Sequence, residues 1–404
     1  MKNTKSQIDD QEKRWIIISL ASIPLIMTLG NSMLIPILPL IEQEIGITKL
    51  QSSYIITVYS ILTIICIPIA GYLSDRFSRK QVIVPALIIA GVGGLIAGLA
   101  SWKMKDPYLY ILIGRILQGI GASGAAPIVL PLVGDLFRHD QEASATLGII
   151  ETSNTFGKVL SPIIGSLLAG VIWFLPFIAI PIFCTISVLL VIFLVRGQPK
   201  KQTTTSFKKY WRDAVEVFKE HKRWLIAVFF IGAILMFVLF GFLFYLSSVL
   251  EDNYQFKGVI KGCLLAIPLL SLSIASYVTG KKIKDHLKVM KWITFIGIMM
   301  MGGSVALIPI TKHYIFLLIV FLICGIGIGM ALPALDALIT ESLDKKVRGV
   351  ITSIYSAMRF IGVAAGPPII AILMEHPLIW MVSLLAVFAL GAGILAYRNI
   401  NPET

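Results

Sequence analysis

Gly71-Tyr72-Leu73-Ser74-Asp75-Arg76-Phe77-Ser78-Arg79-Lys80 is a short charged island between two long apolar runs. Each run has about twenty residues, the length at which a helix crosses a bilayer. Arg76, Arg79 and Lys80 crowd the loop. Basic loops close to helix ends translocate poorly, so this one is expected on the cytoplasmic side. Asp75 needs a separate reason, because acids contribute little to that bias. It is placed to accept backbone N–H groups from a neighbouring helix start or to pair with Arg79.

The surrounding composition agrees. Of 404 residues, 57% are hydrophobic and 14% charged, with a mean hydropathy of +0.87. That balance belongs to a polytopic membrane protein. A formal charge of +13 invites a nucleic-acid reading. Most of the basic residues, however, fall in segments predicted to be cytoplasmic, where anionic inner-leaflet lipid is a sufficient partner. Cys66, Cys184, Cys263 and Cys324 lie inside apolar runs without ligand spacing, so neither a disulfide framework nor a metal site is expected. His139, His221, His286, His313 and His376 fall in loops or near interfaces, and no nucleophile triad accompanies them. There is no Gly-Lys-Ser/Thr phosphate loop, so the chain does not encode ATP-driven pumping. An enzyme is not expected.

Apolar runs place the first six spans at Trp15–Leu40, Ser52–Leu73, Val82–Trp102, Tyr108–Leu136, Ala143–Val171 and Phe174–Arg196. Six more follow at Trp224–Leu250, Val259–Gly280, Val289–Pro309, Tyr314–Glu341, Gly349–Met374 and Leu378–Tyr397. The expected architecture is all-α, with bundles over 15–196 and 224–398 and polar tails at 1–14 and 399–404 in the cytoplasm. Between the bundles, 197–223 is a basic linker. Trp211, Val215 and Phe218 are spaced helically within its Tyr210–Glu220 stretch, which is expected to lie along the inner membrane surface. The halves also repeat one another. Gly119-x-Gly121 returns as Gly325-x-Gly327, Gly157 to Pro162 returns as Gly362 to Pro367, and Asp135 returns as acidic Glu341.

Here the chain resembles a known family. Gly-x-Leu-x-Asp-Arg-x-x-Arg-Lys, beginning at Gly71, resembles the signature loop of the major facilitator superfamily, which usually has Gly where this chain has Ser78. Arg115-Ile-Leu-Gln118-Gly119-x-Gly121 is similar to the family's second motif. Gly157-x-x-x-Ser161-Pro162-x-x-Gly165-Ser166 resembles the fifth-helix motif of its proton-driven exporters, with two serines in place of glycines. The resemblance implies twelve helices in two pseudo-symmetric bundles around a central cavity, of the drug:proton antiporter type. It further implies that Arg115 links proton binding to the conformational cycle. Asp75, Arg76, Arg79, Asp135 and Gly71 would then form a gating cluster, with Gly157, Pro162, Gly165, Gly362 and Pro367 shaping kinked, closely packed helices.

The helices also carry charge that lipid would not tolerate. Glu151, Asn154 and Lys158 are spaced by three and four, so they share one helical face, which must meet a cavity or polar partners. Arg115, Asp336 and Arg359 are the other ionisable groups inside predicted helices and away from their extreme ends. Five buried charges are tolerable only as a mutually compensating network. Glu151 is the first candidate for the proton carrier and Asp336 the second. Asn31, Asn154, Lys158, Arg359 and Tyr355 are the candidate cavity residues, with Asn31 lining the cavity in preference to packing. Lys158 and Arg359 leave room for a carboxylate, phosphate or chelating group.

The resulting expectation is a plasma-membrane secondary transporter, working as a monomer by alternating access and powered by the proton gradient without a bound cofactor. Its substrates are expected to be small amphipathic molecules exported in multidrug fashion. The alternative is export of an endogenous anionic or zwitterionic metabolite, such as a metal-chelating, siderophore-like product.

Overall fold

The computed structural model describes residues 10–137, 140–195, 222–283, 287–310, 313–343 and 345–400, with Arg212, Val215, Glu216, Phe218 and Lys219 of the linker. Most of both predicted tails, the rest of the linker helix and the Glu341 side chain lie outside the described residues. The N-terminal half runs α1 (Asp10–Ser32), α2 (Leu38–Ile45), α3 (Lys49–Arg76), α4 (Arg79–Lys103), α5 (Tyr108–Leu136), α6 (Asp140–Val171) and α7 (Leu175–Leu194). The C-terminal half runs α8 (Lys222–Asp252), α9 (Gly258–Lys282), α10 (Leu287–Ala306), α11 (Tyr314–Ser342), α12 (Lys345–Met374) and α13 (Leu378–Asn399). Among the described residues all regular structure is helical.

The first predicted span is one crossing in two pieces. Pro36 and Pro39 each fall at the start of a new helical segment, the position where a missing N–H is harmless. Between α1 and α2 the chain makes a 3-10 turn over Ile35–Ile37. The Ile35 carbonyl at this break accepts a 3.1 Å hydrogen bond from the Ser247 hydroxyl of α8, which joins the two halves. With α1 and α2 counted as one span, the described residues of the two halves form twelve long helical segments.

Eleven of these are long and apolar enough to cross a bilayer. The remaining one is α6, which carries Glu151, Asn154 and Lys158. Large apolar side chains such as Phe193, Val171 and Trp380 are 64–78% exposed on the outside of the bundle, as a lipid-facing surface requires.

The repeated glycines show why the two halves share a plan. A β-carbon at Gly119 of α5 would collide with the Tyr59 carbonyl of α3, and one at Gly121 with the Ala86 carbonyl of α4. Their counterparts meet counterpart helices. Gly325 of α11 lies against the Pro268 carbonyl of α9, and Gly327 against the Gly297 carbonyl of α10. Glycines let helix backbones approach where no side chain could fit, and in lipid such close packing drives helix association.

Ser78, the departure from the family pattern, caps α4. Its hydroxyl accepts the Gln81 N–H at 3.3 Å, while the Gln81 side chain accepts the Ser78 N–H at 3.2 Å. This reciprocal box satisfies two donors that a helix start otherwise leaves open.

Candidate functional site

The halves meet along α3 with α12 and along α6 with α9. Three contacts mark where they close. The Thr57 hydroxyl donates to the Ala364 carbonyl at 2.8 Å, and the Tyr59 and Phe360 rings lie 6.5 Å apart. Gly262 admits the Pro162 carbonyl and the Ser166 side chain. On the signature-loop side of this seal lie the charges predicted for the cavity.

Glu151, Asn154 and Lys158 follow one another along α6. The Thr28 hydroxyl of α1 donates to Asn154 Oδ1 at 2.6 Å, and Asn154 Nδ2 donates to Glu151 Oε1 at 3.3 Å. The amide, itself held by Thr28 of the neighbouring helix, therefore orients the carboxylate one turn away on its own helix. Opposite, Arg359 Nη1 of α12 donates to Asp336 Oδ1 of α11 at 3.3 Å. Lys158 is within electrostatic reach of Glu151, Arg359 and Asp336 together. Four charges, two from each half, thus face one space. Glu151 is exposed, and the Arg359 and Asp336 side chains keep 24% and 45% of their surface accessible. Since the seal lies beyond them, that space is reached from the signature-loop end. Such a site offers two cations to an anionic ligand and two carboxylates to protons.

Three predicted residues sit elsewhere. Asn31 does not line the cavity. It is 6% exposed, and its Oδ1 accepts from Arg115 Nη2 at 2.6 Å. Tyr355, 1% exposed, lies beneath the Asp336–Arg359 pair and not on the cavity wall, with the Arg359 guanidinium 5.6 Å from its ring centre. Arg115 is fully buried inside the N-terminal half, apart from the two acids. It donates to the Ile55 and Gly30 carbonyls and to Gln118, and it lies 4.3 Å from the centre of the Tyr59 ring. A guanidinium has five donors, and in a dry bundle it takes every acceptor within range. That need draws in Asn31. All these partners are neutral.

At the signature loop, Arg79 joins Asp75 at 2.7 Å and Asp135 at 3.3 Å and also reaches the Ser74 hydroxyl. This gathers α3, α4 and α5 at one end. Arg76 is exposed beside it.

The opposite end holds a polar cluster that the sequence reading missed. Lys261 of α9 and Glu251 of α8 pair at 2.5 Å, with side chains only 3% and 4% exposed. Gln43 of α2 reaches Glu251 at 3.4 Å, and Lys49 of α3 pairs with Asp252 at 2.6 Å, so both contacts cross between halves. Glu42 accepts from Ser52 nearby. One signal was available. Lys261 stands two residues inside a predicted span, and the acid lies just beyond the end of the preceding one.

Two bundles related by a repeat, closed at one end around a shared charged space, have the architecture of a membrane transporter. Residues 20–367 match the Major Facilitator Superfamily, and the chain belongs to it. It is 53% identical over 373 residues to the bacillibactin exporter of Bacillus subtilis strain 168, covering 92% of each chain. It is also 25% identical over 361 residues to the class C tetracycline resistance protein of Escherichia coli, covering 84% of this chain and 85% of that one. Among solved structures, a bacterial homologue of the human lysosomal transporter Spinster matches with a TM-score of 0.76 at 14% identity. That match covers 97% of this chain and 98% of the other, and it supports the fold.

Proposed function

We propose that this protein exports a bacillibactin-like siderophore across the plasma membrane, by alternating access powered by the proton gradient. The carrying observation is the 53% identity to the bacillibactin exporter across nearly the whole of both chains. The cavity is consistent with that cargo: Lys158 and Arg359 face one space, and a chelating molecule rich in oxygen donors presents anionic or hydrogen-bonding groups to such a pair. The order of the two substrate readings made from the sequence is therefore reversed.

In this scheme both termini and the signature loop are cytoplasmic, and substrate enters from that side. Glu151, held by Asn154, is the proton carrier, with Asp336 in reserve. Arg79 with Asp75 and Asp135 gates the cytoplasmic end. The protein works as a monomer among anionic lipids and needs no bound cofactor. The test is metabolite profiling of producing cells under iron starvation, with and without the gene. Loss should deplete the siderophore from the medium and raise it inside cells.

Multidrug efflux is the second reading, favoured by the likeness to the tetracycline resistance protein. A drug-susceptibility panel on the same pair of strains separates the two. A resistance shift with unchanged siderophore release would support the second.

A further inference from the structure

The segment joining the two halves reaches the cavity through a chain of rings. Of the described linker residues, Arg212, Val215, Glu216 and Lys219 are exposed and Phe218 is half-buried. The Phe218 ring stacks on Phe229 of α8, with centroids 6.1 Å apart and planes at 26°. Phe229 stacks in turn on Tyr355 of α12 at 6.2 Å and 30°. The Tyr355 ring occupies a notch that exists because residue 232 is glycine. A β-carbon there would lie 2.6 Å from Tyr355 Cε2.

Tyr355 then meets both members of the charge pair. The Arg359 guanidinium is 5.6 Å from its ring centre, in cation–π range. Its buried hydroxyl lies beside Asp336. Neither Phe229 (4% exposed) nor Tyr355 (1%) has a surface through which a ligand could touch it. Their ordered stack instead supports the pair above.

We propose that Phe218 is a positioning residue for the Asp336–Arg359 pair: through Phe229 and Tyr355, the linker sets the orientation in which Arg359 meets an anionic cargo. This rests on the export reading above for the identity of the cargo, but not for the ring contacts themselves. Aromatic pairs prefer defined offsets, so removing the first ring releases the next.

The test uses the full-length protein in inverted membrane vesicles, with iron-free bacillibactin as probe. Phe218→Ala and Phe218→Leu should each raise KM by about two- to tenfold, the range of a lost aromatic pair, with kcat little changed. Phe218→Tyr should restore the wild-type KM. A second measurement needs no cargo. Hydrogen exchange on the purified protein in nanodiscs should speed up over 351–360 in Phe218→Leu and remain unchanged over 83–100. Wild-type KM and exchange in Phe218→Leu would overturn the proposal, because bulk without a ring would then suffice. If wild-type vesicles fail to move bacillibactin, the cargo reading falls, and the exchange experiment alone decides the role of Phe218.

Discussion

Arg359 and Lys261 are both paired cations, yet their surroundings predict opposite phenotypes. The Arg359–Asp336 pair is partly exposed, and exposed pairs contribute at most about 1 kcal/mol to stability. Arg359→Ala should therefore fold normally. It would forfeit a charged hydrogen bond to cargo worth about 1.5–3 kcal/mol, or roughly ten- to hundredfold in affinity. Substrate titration in vesicles beside a thermal-unfolding trace checks both halves of that statement. Lys261→Met should do the reverse. It leaves Glu251, 4% exposed, without its cation, and such a loss costs about 3–5 kcal/mol. Adding Glu251→Leu should recover most of the thermal stability in detergent. For the proton, Glu151→Gln is expected to abolish the dependence of export on an imposed pH gradient while keeping the hydrogen bond from Asn154. Counterflow with and without the gradient tests this, and wild-type gradient dependence would remove Glu151 from the cycle.

At the level of helices, local chemistry that the sequence shows directly proved decisive. Ser78→Ala removes the cap of α4 and should lower stability by about 1 kcal/mol, whereas Ser78→Gly should cost only a few tenths. Denaturation midpoints of the two variants distinguish a cap from a passive turn. Helix spans, glycine seams and the α6 stripe were legible because periodicity and length need only neighbouring residues. Glu151, Asn154 and Lys158 share a face by spacing alone. The Asn31–Arg115 contact was not legible, since no local rule says which distant acceptor a buried guanidinium will recruit. Tyr355 was misplaced for a related reason. Only the notch at Gly232, on a different helix, shows that its ring turns under the cavity floor. The Lys261–Glu251 pair hid at the ends of two spans, where charges usually signal the start of water.

At the scale of the molecule, duplication preserved backbone approach and let the charges diverge. Gly119 and Gly325 serve the same neighbour in each half. The site, by contrast, draws an acid–amide–lysine stripe from one half and an ion pair from the other. Swapping the halves' charges would therefore not conserve function even though it would conserve packing. Their joining also differs by end. On the face assigned to the outside, Lys49 and Asp252 cross between halves with about a third of each side chain exposed, while Glu251 and Lys261 stay together within one half. Mobile ions shield the first pair far more than the second. Raising salt in the external medium alone should thus shorten the dwell of the outward-closed form, so the composition of the surroundings would help set the tempo of export.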